Sequence, residues 1–218
     1  MIMPSKFSFL ILITFLSYGC SSIGGSSNIA PGYLDALKLV KNYFYEEDNS
    51  VLNRELINDI PYASMKLKIG KGPTGLLILE EKKQNKEYWV SADSIYVVIN
   101  KGRIIQTSGL SNNITHSTAS DIPLNKENKY SYLNNYDKPK LNSFKLDATL
   151  TKGPIETIEL INGKKRLALF VEIIKNDYIG WKVTNKYWVD ENGFVWKSIQ
   201  HISPKLPPIY VEVTKKPS

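Results

Sequence analysis

Serine, aspartate and histidine are the side chains of this sequence that could build a nucleophilic active site. Ser91 and Asp93 stand two residues apart, and the two histidines are His116 and His201. A nucleophile of this kind needs a base beside it, but neither histidine lies near Ser91 in the sequence, and there is no G-x-S-x-G motif. We therefore expect no catalytic residues and a protein that is not an enzyme.

Histidine, cysteine and carboxylate side chains form metal sites only when they are clustered at set spacings. Both histidines are isolated, and the single cysteine is Cys20, close to the N-terminus. The sequence therefore predicts neither a metal site nor a cofactor.

Cys20 follows a segment that is typical of an export signal. Lys6 precedes an apolar or small-residue run over 7–16, shorter than the roughly 20 residues of a transmembrane helix. Residues 16–20, L-S-Y-G-C, resemble the lipobox of bacterial lipoproteins. We predict a signal peptide over 1–19 and acylation of the Cys20 thiol, which would anchor the chain to a membrane.

An alternative is cleavage by the general signal peptidase, because Ser17 stands where the lipobox usually has leucine. That cleavage would leave a free thiol, which is unusual in an exported protein. Ser21, rather than aspartate, follows Cys20, and in Gram-negative lipoproteins this favours the outer membrane. The predicted localisation is the outer membrane, lipid-anchored and facing the periplasm.

The formal net charge of the chain is +7, which bears on what it can bind. Basic residues are scattered among acidic ones, and export argues against a nucleic acid partner. Two interpretations remain, namely a solvated basic surface and attraction to lipopolysaccharide or an acidic polysaccharide.

The elements that must position any site are mostly strands. Small residues over 20–30 predict a flexible tether, and 31–218 is predicted to be one β-rich periplasmic domain. Apolar residues at three- and four-residue spacing over 32–47 predict an amphipathic helix, packed on the sheet or, alternatively, binding a partner. From residue 60 the apolar period becomes two, as in half-buried strands.

The fold predicted from these patterns is mostly all-β, an antiparallel β-sandwich or partly open β-barrel of about ten to twelve strands with one N-terminal amphipathic helix. Residues 111–140 are polar and show no clear period, which indicates a functional loop or a structure that the pattern does not reveal. The predicted strands cover 63–69, 76–81, 86–90, 94–99, 103–107, 144–150, 155–160, 167–173, 181–189, 194–201 and 209–213.

Aromatic and basic residues on these strands are the candidates for binding. Thirteen tyrosines and four tryptophans, Trp89, Trp181, Trp188 and Trp196, could stack on sugar rings or fill a β-core. Arg103 follows a hairpin glycine, and it could pair with Asp93, with a polymer carboxylate, or within a structural salt bridge.

Four segments, in the correct order, resemble the YjbF family of lipoproteins. The first is I-P-Y-A-S-M at 60–65, and the second holds Trp89, Ser91 and Asp93. The third, over 102–110, holds Arg103 and Thr107, and the C-terminal one holds Trp188, Asp190 and Gly193. The resemblance marks the following as possible binding or family-motif residues: Trp89, Ser91, Asp93, Arg103, Thr107, Trp188 and Asp190.

This resemblance implies an all-β, outer-membrane-anchored lipoprotein that acts as a non-catalytic accessory in capsule or exopolysaccharide secretion or assembly. Its partners would be the membrane, through the lipid anchor, and a polysaccharide or polysaccharide-export proteins. The alternative is a lipid or lipoprotein carrier that resembles LolA and LolB, which rests on analogy of fold. An open apolar cavity under residues 32–47 would favour the carrier, and a filled core would argue against it.

Overall fold

The computed structural model describes residues 54–124 and 126–217. The predicted signal peptide, Cys20, the tether over 20–30 and the helix over 32–47 lie outside the described residues. They remain predictions.

One short helix, α1 (Arg54–Asp59), precedes twelve strands. A single 3-10 turn, Thr118–Asp121, lies between the sixth and seventh strands. The strands in chain order are β1 (Ser64–Ile69), β2 (Thr74–Lys83), β3 (Lys86–Ser91), β4 (Tyr96–Asn100), β5 (Arg103–Ser108), β6 (Ile114–Ser117), β7 (Asn128–Tyr136), β8 (Leu141–Leu160), β9 (Gly163–Asn176), β10 (Trp181–Val189), β11 (Val195–Gln200) and β12 (Ile209–Lys215).

All twelve strands belong to one antiparallel sheet in the order β5-β4-β3-β2-β1-β12-β11-β10-β9-β8-β7-β6. The first and last strands are neighbours, with Met65 opposite Val213. At the two ends of this order, β5 and β6 come together, and the backbone N–H of Ile114 donates to Oγ1 of Thr107 at 3.1 Å. The sheet therefore curls into a nearly closed barrel, which confirms the all-β prediction and favours the barrel over the sandwich.

Side chains fill the interior of the barrel. Met65, Trp89 and Ile209 are fully buried in its largest apolar cluster. Two pockets lined by interior residues have volumes of about 60 and 20 Å³, well below the roughly 300 Å³ at which ligand sites begin. The described interior is therefore filled, and the cavity that the carrier interpretation requires, under residues 32–47, lies outside the described residues.

The outer face of the barrel carries two further apolar layers. One lies under α1, where Ile60 covers Leu76 and Ile78 of β2. The other holds Leu160, Leu167 and Trp188. Burial of these outward-facing side chains removes apolar surface from water, and it adds to the stability that the interior core provides.

The β8–β9 hairpin reaches across to β12. Its turn is fixed there by two hydrogen bonds, from the backbone N–H of Ile161 to Glu212 at 2.8 Å and from the Asn162 amide to the Thr214 carbonyl. Helix α1 meets the same turn, because Nε of Arg54 donates to the Ile161 carbonyl at 3.2 Å. The chain therefore enters the barrel beside this turn.

Two parts of the strand prediction were wrong. Residues 144–150 and 155–160 were predicted as separate strands, but they belong to one twenty-residue strand. Gly153 and Pro154 interrupt the sequence pattern without ending the strand, because the pairing register shifts between Lys152 and Ile155. Such an irregularity accommodates a proline, which cannot donate to a regular ladder.

The polar segment 111–140 is largely structured. It contains β6, the 3-10 turn and β7, so of the two interpretations the functional loop is wrong and a structure that the pattern does not reveal is confirmed. In β7, Tyr132, Asn134 and Tyr136 are buried and alternate with more exposed residues. Buried and exposed residues therefore alternate in β7 as they do in other strands. One of the buried positions holds Asn134, whereas a strand prediction from sequence relies on an apolar residue there.

Candidate functional site

The polar chemistry of the interior centres on Arg103. This residue begins β5 directly after Gly102, whose φ of +84° closes the hairpin from β4 and suits glycine. Arg103 is 3% exposed, and its Nη2 lies 2.9 Å from Oε1 of Glu172 on β9. The guanidinium also donates to the Ile122 carbonyl. Arg103 thus ties β5 to β9 and to the segment before β7.

Glu172 accepts hydrogen bonds at both carboxylate oxygens. Tyr187 and Asn185 donate to Oε2 at 2.8 and 3.1 Å, and Tyr130 donates to Oε1. Burial acts to raise the pKa of Glu172, but the Arg103 charge and the donated hydrogen bonds outweigh it, so the pKa lies below its usual value. The site is an ionised pair with satisfied hydrogen bonds, sealed from solvent.

Arg103 therefore forms a structural salt bridge, with Glu172 and not with Asp93. Burial and the Glu172 charge raise the pKa of the Tyr187 hydroxyl well above its usual range, so this phenol stays protonated and donates. A buried pair of this kind fixes which strands meet, because removing either member leaves an unpaired charge.

Ser91 and Asp93 shape the turn between β3 and β4. Oγ of Ser91 donates to Oδ1 of Asp93 at 2.5 Å and accepts from the backbone N–H of Ile95 at 2.9 Å. The backbone N–H of Ser91 donates to the Ile95 carbonyl. The hydroxyl is thus engaged within its own turn, as serine commonly is in turns.

Thr107, Trp89 and Trp188 are also placed in the scaffold. Oγ1 of Thr107 joins β5 to β6 at the edge of the barrel. Trp89 is fully buried in the interior. Trp188 is 8% exposed on the outer face, and its indole N–H donates to Glu156 at 2.7 Å. The structure leaves neither of these two tryptophans free to stack on a sugar ring.

Asp190 organises the turn between β10 and β11. Its Oδ1 accepts from the backbone N–H groups of Asn192 and Phe194, both at 2.9 Å. Its Oδ2 accepts from the indole N–H of Trp196, also at 2.9 Å. Gly193, with φ of +80°, completes the turn. Asp190 therefore fixes the 190–193 turn and the adjacent tryptophan.

An open cleft of about 710 Å³ lies beside this turn. We call it the turn cleft. Phe170 and Val189 contribute apolar surface, and Lys152, Ile155 and Arg166 also line it. A second pocket of about 300 Å³ shares Arg166 and the residues of the turn, and it adds Lys165 and Trp196. The 190–193 turn thus has binding space along two of its sides.

Cations in the turn cleft are available to a ligand. Lys152 and Arg166 are exposed, and neither side chain forms an ion pair or hydrogen bond with another residue of the described ranges. Nζ of Lys165 lies 4.1 Å from the centre of the Trp196 ring, and Ile155 is 61% exposed. Glu191, which is exposed, adds a carboxylate to the lining of both the cleft and the adjoining pocket. Cations, an aromatic ring and a hydrogen-bond acceptor side by side suit a sugar that carries both carboxylate and hydroxyl groups.

The sequence contained a signal for this cleft that the prediction did not use. Lys164, Lys165 and Arg166 form a basic run directly after the Asn162-Gly163 turn. Lys152 gave no signal, because it lies twelve residues before Lys164 and joins the cleft only through strand pairing.

Residues 54–124 and 126–217 contain neither a metal-binding cluster nor a membrane-spanning helix. Within these ranges no three histidine, cysteine or acidic side chains are grouped so that they could hold a metal ion. No helix there has the length and apolar character needed to cross a membrane.

The nearly closed, twelve-stranded antiparallel barrel defines the class of protein. A solved structure of the same fold is the crystal structure of the hypothetical lipoprotein YmcC from Escherichia coli K12. It matches with a TM-score of 0.74 and 20% sequence identity, over 87% of this chain and 97% of that one. At this identity the likeness shows the fold.

The chain belongs to the YjbF family, whose model, described as "Group 4 capsule polysaccharide lipoprotein gfcB, YjbF", matches residues 37–214. Two relatives from Escherichia coli strain K12 are named uncharacterized lipoproteins. YjbF is 22% identical over 94% of this chain and 96% of its own length. GfcB is 24% identical over 79% of this chain and 84% of its own length. The family resemblance seen in the sequence is confirmed, and the chain is a capsule-related lipoprotein.

Proposed function

We propose that this protein is an outer-membrane-anchored, periplasm-facing lipoprotein that assists capsule or exopolysaccharide secretion or assembly by binding the polymer, without catalysing a reaction. The observation that carries the proposal is the turn cleft, in which exposed Lys152 and Arg166 have no partner among the described residues.

The arrangement of titratable groups supports a role without catalysis. The most concentrated set, Arg103 with Glu172, is buried and already satisfied. General acid–base chemistry needs a group within hydrogen-bond reach of the substrate, and this pair has no such access. Ser91 is likewise engaged with Asp93 in its own turn.

The shape of the turn cleft supports a polymeric ligand. Its volume falls within the range of small-molecule sites, about 300–1,000 Å³, and the pocket that shares Arg166 extends it along the turn. A chain of sugars can occupy both parts at once. The three cations Lys152, Lys165 and Arg166 outnumber the two carboxylates of the turn, Asp190 and Glu191, and so favour a polymer that carries carboxylates.

Binding of the purified chain to an acidic polymer tests the site. We expect affinity for polygalacturonate above that for dextran, and about tenfold weaker binding to polygalacturonate in Lys152→Gln/Arg166→Gln, since two charge-assisted contacts are lost. Lys71→Gln, at an exposed turn lysine outside the cleft, is the matched control. Equal affinity of the parent, the control and the double variant would contradict the proposal.

Deletion of the gene tests the process. We expect less surface polysaccharide in the deletion strain, recovery with the parent gene, and poor recovery with either Cys20→Ser or the double cleft variant. Unchanged polysaccharide amount and chain length after deletion would remove the proposed role in secretion or assembly.

A further inference from the structure

The turn between β9 and β10 exposes two large apolar side chains. Tyr178 is 95% exposed and Ile179 is 47% exposed. Ile173 on β9 and Leu141 at the start of β8 are also exposed, at 39% and 38%. We call residues 177–180 the hairpin tip. Tyr178 and Ile179 are adjacent in the sequence and both exposed, so the hairpin tip presents a contiguous apolar surface that is a candidate contact site.

The conformation of the hairpin tip does not depend on these apolar side chains. Oδ1 of Asn176 accepts from the backbone N–H of Ile179 at 3.1 Å, and its Nδ2 donates to the Lys145 carbonyl at 2.8 Å. Gly180, with φ of +66°, supplies the left-handed residue of the turn. Tyr178 is therefore not needed to form the turn.

Lysines surround the hairpin tip. Lys175 pairs with Asp177 at 3.0 Å, and Lys145 lies 3.7 Å from Asp147. These pairs use Asp147 on β8 and Asp177, the one acidic residue of the tip itself. Two more exposed lysines, Lys140 in the β7–β8 turn and Lys182 on β10, form no ion pair with a described residue. The resulting surface is apolar at its tip and basic around it.

We propose that the hairpin tip inserts Tyr178 and Ile179 into the interface of a bilayer that carries anionic headgroups. Tyrosine suits this position because its ring is apolar and its hydroxyl remains hydrated. Lysines nearby add attraction to anionic lipid. The tip is a second, reversible membrane contact, separate from the acyl anchor and independent of polymer binding in the turn cleft.

The length of the chain before the barrel permits this contact. Arg54 lies at the β8–β9 turn, at the other end of β9 from the tip. The fourteen residues of β9 span about 45 Å at a strand rise of about 3.3 Å. The 33 residues from 21 to 53, with the predicted helix over 32–47 at about 1.5 Å per residue and the other residues extended, can span about 80 Å. A chain anchored at Cys20 can therefore bring the tip to the same membrane.

Quenching by brominated lipid tests the contact. Tyr178→Trp and, as a matched control, Tyr210→Trp each add one indole at an exposed tyrosine, since Tyr210 on β12 is 40% exposed. Each purified full chain is mixed with phosphatidylcholine vesicles with or without phosphatidylglycerol, brominated on the acyl chains. We expect about twice as much quenching of the added indole at 178 as at 210 in anionic vesicles, and loss of the difference at high salt.

A charge variant sharpens the result. Lys140→Gln/Lys182→Gln in the Tyr178→Trp background should lower quenching in anionic vesicles, since each lysine near an anionic surface changes partitioning about fivefold. Equal quenching at 178 and 210 would overturn the proposal, as would equal quenching at 178 in both kinds of vesicle. Loss of surface polysaccharide in Tyr178→Ser without quenching at 178 would indicate a protein partner instead and would also overturn it.

Discussion

Arg103 in the barrel interior and Arg166 in the turn cleft have the same side chain and opposite surroundings. Arg103 is buried, paired with Glu172 and bonded to the Ile122 carbonyl. Arg166 is exposed and has no partner among the described residues. The first charge is used to hold strands together, and the second remains available to a ligand. Residue type alone therefore does not distinguish a structural arginine from one that is available to a ligand. What distinguishes them is whether the arginine has a partner on another strand.

Asp190 shares a feature with each arginine, because it has hydrogen-bond partners within the fold and also lies at the binding surface. Its carboxylate accepts from two backbone N–H groups of the β10–β11 turn and from the Trp196 indole on β11, yet this turn lines the cleft. It is a positioning residue, because it holds the surface on which the free cations act. We therefore expect three kinds of mutational effect. Substituting Arg103 should change stability, substituting Asp190 should change both stability and ligand binding, and substituting a cation of the binding surface should change mainly ligand binding.

Removing the buried cation should have the largest effect. Arg103→Met leaves the Glu172 carboxylate buried without its partner, so we expect a loss of about 3–5 kcal/mol in the free energy of unfolding. Urea denaturation followed by tryptophan fluorescence measures it. Arg166→Met is the matched control and should change stability by less than about 0.5 kcal/mol. A similar loss of stability in both variants would contradict the prediction, because it would mean that Arg166 is as important to the fold as Arg103.

The double variant Arg103→Met/Glu172→Leu should recover most of that loss, because replacing a whole buried pair with apolar residues is often neutral. Recovery would show that the stability lost in Arg103→Met is lost because the Glu172 carboxylate has no partner. A double variant as unstable as Arg103→Met would instead locate the loss in the hydrogen bonds that the pair makes with Ile122, Tyr130, Asn185 and Tyr187.

The same pair should make stability depend on acid pH. The pKa of Glu172 is lower in the folded state than its usual value of 4.5, because the Arg103 charge and hydrogen bonds outweigh the opposing effect of burial. Its stabilising contribution is thus present above about pH 4.5 and is lost as the pH falls through the folded pKa. Urea midpoints between pH 7 and pH 3 should fall more steeply in the parent than in Arg103→Met/Glu172→Leu. Parallel curves would contradict this.

Asp190→Asn should have an intermediate effect on stability together with an effect on binding. The amide accepts more weakly than the carboxylate, so we expect a loss of about 1–2 kcal/mol and weaker binding to polygalacturonate. Urea denaturation and a binding titration of the same sample measure the two. Unchanged binding in a destabilised variant would show that the 190–193 turn does not support the cleft.

Lys165→Gln should have the smallest effect on stability. Its ammonium group lies 4.1 Å from the centre of the Trp196 ring, a contact worth about 0.5–1 kcal/mol at an exposed site. We expect a loss no greater than this, a change in Trp196 emission and weaker polymer binding. A loss comparable to that of Arg103→Met would mean that Lys165 belongs to the scaffold.

Strand prediction succeeded where the apolar period was regular. The strand predicted at 181–189 has those bounds in the structure, and the one predicted at 63–69 starts one residue later. It failed in β7, where polar Asn134 occupies an inward position, and in β8, where Gly153 and Pro154 interrupt the pattern. Polar inward residues and register shifts depend on tertiary contacts that a local pattern does not contain.

The site was predictable only in part for the same reason. The motif residues Ser91, Asp93, Arg103 and Asp190 were found in the sequence, but their roles depend on hydrogen-bond partners. The partner of Arg103 lies 69 residues away on β9. The turn cleft forms where β9 passes the β10–β11 turn, and no local spacing indicates that two such segments meet.

The order of the strands also determines where the chain tolerates a cut. The twelve described strands make eleven pairings, and the pairing of β1 with β12 joins the first and last of these strands in the middle of the row. The open seam therefore falls within the sequence, between β5 and β6. Cleavage by a protease at 109–113 would sever the backbone there and leave all eleven pairings intact. A circular permutant that begins at β6 and joins residue 217 to residue 64 would turn the whole barrel into one uninterrupted meander.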